Sequence, residues 1–299
     1  MKNFLLLSLV IMFAFKGFAQ GCSDAGICSV GSNFELDEIE NKNSLETATI
    51  FAAGEEDLIY FSPYISYARK LNDQFSISTK LTFSSANGSY GTKSAFGDIY
   101  LIGNYVFKEK ESKQWSVLTG WKFPLNNADL KIDGISLPLD YQSSLGTIDL
   151  FVGTNFKYYK WDFTATIQIP IFNHNKNSFF NELSESEVFP STNLFERKSD
   201  ALFRVTYTYK TTNQKFTFKP NLLFIYHLGE DTFENELGNR ETIKNSSGLT
   251  VNGNLLSSYQ INNGNSIELS LATPFVIRDV RPDGLTRSFV LGLSYRTSF

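Results

Sequence analysis

Cysteine and histidine are nearly missing from this chain. Its 299 residues hold two of each, and both cysteines, Cys22 and Cys28, lie near the start. A structural zinc takes four Cys or His ligands at close spacing, so no such module can be assembled beyond residue 28. Long apolar runs are missing as well. After the first segment no eighteen consecutive residues are apolar, which excludes a later helical membrane span. Basic residues number 27 against 31 acidic ones, a net charge of −4, and that balance argues against a nucleic-acid partner. No Gly-rich phosphate loop, zinc-binding helix or nucleophile elbow occurs. The expectation is therefore a protein without cofactor, without metal site and without enzymatic activity.

What the chain does have is aromatic residues, with 28 Phe and 14 Tyr. It also begins like an exported protein. Lys2 precedes an apolar run from Phe4 to Phe15, and Gly17-Phe18-Ala19 supplies the small-x-small pattern of a cleavage site. Residues 1–19 are read as a signal peptide and 20–44 as a periplasmic leader rich in small and polar residues. Within that leader Cys22 and Cys28 pair by default as a disulfide in an oxidising compartment. Three alternatives stay open: lipidation of Cys22, a redox pair and a soft-metal site.

After residue 57 the pattern is an alternation of period two that runs to the last residue. Phe75, Ile77, Leu81 and Phe83 alternate with Ser76, Ser78, Lys80, Thr82 and Ser84, which puts one set on each face of a strand. Trp161, Phe163, Ala165, Ile167, Ile169 and Ile171 likewise oppose Asp162, Thr164, Thr166 and Gln168. Candidate strands fall at 45–53, 57–69, 74–85, 96–108, 114–124, 146–157, 160–172, 199–210, 214–228, 248–260, 265–277 and 286–299, the first being the weakest. Short connections at 71–73, 109–113, 158–159, 211–213 and 261–264 alternate with longer ones at 86–95, 125–145, 173–198, 229–247 and 278–285. Outer-membrane barrels have short periplasmic turns and long outer loops, and their strands alternate apolar toward lipid and polar toward a lumen. Trp115, Trp121, Trp161, Tyr209 and Tyr259 near strand ends suit an interfacial girdle. A soluble β-sandwich would bury its aromatic face and would not need alternating loop lengths. The fold class expected for 45–299 is thus all-β, a transmembrane antiparallel up-and-down barrel of about twelve strands.

The stretch Phe96-Gly97-Asp98-Ile99-Tyr100-Leu101-Ile102-Gly103-Asn104-Tyr105-Val106-Phe107, followed by Gly120-Trp121-Lys122-Phe123-Pro124, resembles a recurring strand pair. Such a pair occurs in the outer-membrane family labelled as phenol-degradation meta-pathway proteins, akin to long-chain fatty-acid channels, and the likeness is one of short motifs. The resemblance implies passage of small or hydrophobic molecules and carries no catalytic residues.

Strand parity points Lys80, Asp98, Lys122, Asp149, Arg204, Lys219 and Glu268 into the lumen. Lys80, Lys122, Asp149, Arg204 and Lys219 are expected at similar height, with Arg204 and Lys219 side by side on neighbouring strands. Like charges so placed cost stability unless a carboxylate or an anion bridges them. Two readings follow: an internal salt-bridge plug using Asp149, Asp162 and Glu268, or a basic constriction for anionic solutes. His227 ends a strand with inward parity and His174 lies in a loop, so both read as polar rim or loop residues. Glu182, Glu185 and Glu187 read as a solvated acidic loop. The functional expectation is an outer-membrane channel for a small, hydrophobic or anionic solute, solvated by outer-membrane lipid. The terminal Phe299 fits recognition by the outer-membrane assembly machinery. A scaffold barrel holding a periplasmic or surface protein partner is the alternative, and an outer-membrane enzyme comes third.

Overall fold

A computed structural model describes residues 41–54, 57–184, 188–284 and 288–299. The signal peptide, the cysteine pair, Glu185 and Glu187 lie outside these residues. Twelve strands, each hydrogen-bonded to its sequence neighbours, form one antiparallel sheet that closes on itself. They are β1 Asn43–Ala53, β2 in two pieces Ile59–Phe61 and Tyr64–Lys70, β3 Phe75–Gly88, β4 Gly91–Val106, β5 Lys113–Pro124 and β6 Thr147–Tyr158. The rest are β7 Trp161–Asn173, β8 Asp200–Tyr207 continued by Tyr209–Lys210, β9 Phe216–His227, β10 Gly248–Asn262, β11 Asn265–Val276 and β12 Phe289–Ser298. No described helix is long and apolar enough to cross a membrane.

Closure is made by the strand that the sequence marks least clearly. β1 pairs with β12 from Ser44↔Ser298 to Ala53↔Phe289. Asn43 and Phe299 exchange two backbone hydrogen bonds of 2.9 Å each. The break in β2 falls at Pro63, which has no N–H to donate. The ladder is bridged around it by Ser62 N–H to Ile50 O (2.8 Å) and Phe83 N–H to Pro63 O (3.0 Å).

Alternation sorts the side chains as expected. Trp115, Trp161, Phe203, Leu222, Phe289 and Leu293 are exposed on the outer wall. Toward the short-turn end the outward rings pack into a girdle, with Trp115 against Phe156 (4.6 Å between centroids), Trp161 against Tyr207 (5.0 Å) and Phe216 against Tyr259 (4.8 Å). A surface of this kind is stable in hydrocarbon and not in water.

One connection differs from expectation. Residues 86–95 are not a long loop, because β3 and β4 continue to Gly88 and Gly91 and turn tightly through Ser89-Tyr90. Ser94 donates to Ser85 across this extension (2.7 Å). Its residues are polar or small on both faces, so the sequence reads as a loop although the backbone remains a paired ribbon.

The largest deviation is inside. The lumen holds an apolar layer of Tyr100, Ile102, Leu118, Phe151, Leu202, Leu223 and Ile225, all buried, contributed by β4, β5, β6, β8 and β9. Gly120 makes room for it: a Cβ there would lie 2.7 Å from Ile102 Cγ1 and 2.9 Å from the Leu101 carbonyl oxygen. Gly120→Val should therefore overpack the layer and cost about 1–3 kcal/mol. The measurement is the urea midpoint of the lipid-folded chain; an unchanged midpoint would show that the layer yields freely.

Candidate functional site

The apolar layer divides the lumen-facing charges into two groups. On the loop side lie Asp98, Lys122, Asp149 and His227; on the short-turn side lie Arg204 and Lys219. Strand order fixes this. Along β6 the inward sequence is Asp149, Phe151, Asn155, and along β9 it is Lys219, Asn221, Leu223, Ile225, His227. The expected single ring of charges at one height is thus not formed. Arg204 and Lys219 are not cross-strand neighbours either. Arg204 pairs with Thr164 and Leu223, whereas Lys219 pairs with Leu256. Parity speaks only to the face of a strand, and the register of β8 against β9 depends on turn geometry that composition does not reveal.

On the loop side the charges are neutralised. Lys122 Nζ lies 2.8 Å from Asp149 and donates to Thr147 Oγ1 at 3.0 Å, while Gln168 donates to the same carboxylate. Asp98 accepts from Ser144 Oγ at 2.6 Å, tying the 125–146 loop to the wall. That loop folds inward. Leu137 and Tyr141 pack on Leu58, Tyr60, Ala52 and Ala86 at the barrel mouth. Tyr90, at the tip of the β3–β4 ribbon, packs edge-to-face against Tyr141 (5.7 Å between centroids) and Phe179 (6.1 Å) and at a tilt against Phe189 (6.1 Å).

A buried polar network locks the remaining loops to this cap. His227 lies between two carboxylates, Nδ1 at 2.6 Å from Asp200 and Nε2 at 2.8 Å from Asp231. With both carboxyl groups ionised they only accept, and the ring then donates to both as an imidazolium. Arg197 bonds Asp200 and Asp283 (3.2 Å to the latter), and Arg278 bonds Asp283 and the Ser246 carbonyl (2.8 Å). Burial pushes the Asp283 carboxyl up, but Arg278 and Arg197 outweigh it and hold that group well below the usual carboxylate range. In this bonded set two arginines and one histidine ring face three carboxyl groups. His227 is therefore no rim residue, and both of its nitrogens are engaged by carboxylates. His174 is an exposed loop residue, as expected.

The short-turn half holds two cavities. Lys157, Lys160, Arg204, Lys210 and Lys219 line a cavity of about 320 Å3 whose single carboxylate is Asp162. Asp162 accepts from Asn155 and from Thr164 Oγ1 at 3.2 Å. Sharing Lys210 and Lys219, a second cavity of about 490 Å3 contains Glu268 and Arg296. Arg296 pairs with Glu46 at 2.7 Å, and Tyr64 donates to the same carboxylate. Lys80 lies 3.9 Å from the centre of the Tyr64 ring, a cation–π contact. Glu46, Tyr64 and Arg296 escaped sequence reasoning because they depend on β1 pairing with both β2 and β12. No described group of His, Cys, Asp or Glu is arranged to hold a metal ion.

Lys122→Met should cost about 3–5 kcal/mol, because Asp149 would stay buried without its cation. The double change Lys122→Met with Asp149→Leu should recover most of that loss. Unfolding in urea measures both; equal instability of the single and double variants would show that the pair is not energetically coupled.

No family model matches the chain, and no curated protein matches it. Solved structures do. The COG4313 outer membrane channel from Pseudomonas putida F1 superposes with a TM-score of 0.60 at 12% identity, over 87% of this chain and 96% of that one. The NanC porin does so with a TM-score of 0.54 at 8% identity, over 85% of this chain and 100% of that one. At these identities the likeness is one of fold, the closed barrel of outer-membrane proteins.

Proposed function

We propose that this protein is an outer-membrane channel that passes a small hydrophilic solute. The observation that carries the reading is a closed, apolar-walled cylinder with polar and cationic cavities opening inside it at the short-turn end. An apolar exterior requires a bilayer, and a polar interior is of use to a water-soluble cargo. The fold neighbours named above, an outer membrane channel and a porin, support the same reading. The charged chamber favours a polar cargo over the hydrophobic one that the strand resemblance suggested. Folded loops narrow the other mouth, which favours a selective channel over a general pore. Export through the first 19 residues, insertion by the outer-membrane assembly machinery and a short-turn end facing the periplasm complete the proposal.

The rival reading, a scaffold barrel, draws on the apolar layer and the locked loops, which would suit a non-conducting cylinder. Liposome swelling with small neutral and charged solutes separates the two. A channel should give flux several times that of protein-free vesicles. Flux at background, with the barrel shown folded by its heat-dependent gel mobility, would overturn the channel reading.

A further inference from the structure

We infer that the outer wall carries a site for one anionic glycerophospholipid, which lays an acyl chain in a groove across β4 to β8 and its phosphate against the β4–β5 turn. The inference needs the barrel to span a bilayer and is independent of what the lumen passes.

The groove comes first. Large apolar side chains cover most of the lipid face, but between β4 and β8 the wall recedes into a groove of about 680 Å3. Gly103, Thr119, Ala165 and Ala201 contribute short side chains to it, and Phe75 and Ile167 contribute long ones. It crosses the strands instead of following one, since Gly103 pairs with Thr119, Thr119 with Val152, Val152 with Ile167 and Ile167 with Ala201. The Phe75 ring reaches over Gly103, where a Cβ would meet it at 3.6 Å. Apart from threonine hydroxyls the lining is apolar. A hydrocarbon chain seated there touches protein on several sides, and each such contact adds dispersion attraction that a smooth wall does not offer.

Charge below the groove names the headgroup. Lys108, Lys110 and Lys113 are exposed at the β4–β5 turn and Lys160 at the next one, against Glu109 and Glu111. Lys113 shares outward parity with Trp115 and Val117, which puts it on the lipid side of the wall. It is also held in place. Lys110 and Lys113 exchange backbone hydrogen bonds of 3.0 and 2.9 Å, and Lys113 Nζ lies 5.8 Å from the centre of the Tyr158 ring. Trp and Tyr rings sit at headgroup level, and lysines there attract anionic lipid. The spacing matches one leaflet. From Lys113 to Thr119 β5 climbs about 20 Å as extended strand, and a tilt of about 40° leaves about 15 Å along the membrane normal. That is half of a hydrocarbon core about 30 Å thick. A lipid with its phosphate at Lys113 therefore reaches the groove with its chain.

The test is native mass spectrometry of the full chain in a neutral detergent, titrated with dioleoylphosphatidylglycerol or dioleoylphosphatidylcholine. Saturable retention of a single phosphatidylglycerol is expected, in preference to phosphatidylcholine. Glycerol phosphate, the headgroup without its chains, should not compete. Lys113→Gln should weaken retention about fivefold, the loss of one lysine at a membrane surface. Ala165→Leu fills the groove without touching the charges; it should weaken retention of phosphatidylglycerol and keep the preference. Lys131→Gln, in the 125–145 loop, should leave both unchanged. Equal retention of the two lipids, competition by glycerol phosphate, or retention indifferent to Lys113→Gln and Ala165→Leu overturns the site. Lipid retention without vesicle flux would overturn only the channel, and flux without lipid retention only the site.

Discussion

Everything in this structure depends on closure. A strand in hydrocarbon cannot leave its N–H and C=O groups unpaired, since each unsatisfied group costs several kcal/mol there. The β1–β12 ladder, ten residue pairs from Ser44↔Ser298 to Ala53↔Phe289, removes the edges that an open sheet would present. The outer wall can then be apolar all round, and the inner wall is free to vary. Even Pro63, which interrupts the donor sequence, is accommodated because Ser62 and Phe83 carry the bonds around it.

With the wall secured, the interior is organised by level along the axis. At the loop end, carboxylates and cations are interleaved and buried, which locks the surface loops. In the middle, Phe151, Leu202 and Leu223 exclude water from one side of the lumen. At the short-turn end the cations outnumber the acids. Burial makes the first level costly to disturb. The apolar layer lies between it and the third.

Much of this was legible in the sequence, because a two-residue period and alternating loop lengths are direct consequences of a barrel in a bilayer. Lys122, Asp149, Arg204 and Lys219 were placed on the inner face by parity alone. What escaped had physical reasons. Leu222-Leu223-Phe224-Ile225-Tyr226 is apolar on both faces, a signal that the lumen is packed there, but an uninterrupted run does not tell which residues point inward. The β3–β4 extension is polar on both faces and so looked like a loop. Arg197, Arg278 and Asp283 lie in irregular segments, where no periodicity relates them, and only the folded loops bring them together. The pairing of Glu46 with Arg296 needed the first and last strands to be adjacent, a relation spanning nearly the whole chain.

The shared carboxylate of Asp283 has one more implication. It is bonded by Arg197 from the β7–β8 connection and by Arg278 from its own, while His227 links Asp200 to Asp231 in the β9–β10 connection. The described parts of three connections that differ in composition are thereby fastened to one another around these side chains. Breaking any one of these bonds strands a buried charge of its neighbour, so the bonds should be lost together and not one at a time. A substitution in one of these connections must then be matched in the others if the buried charges are to stay paired.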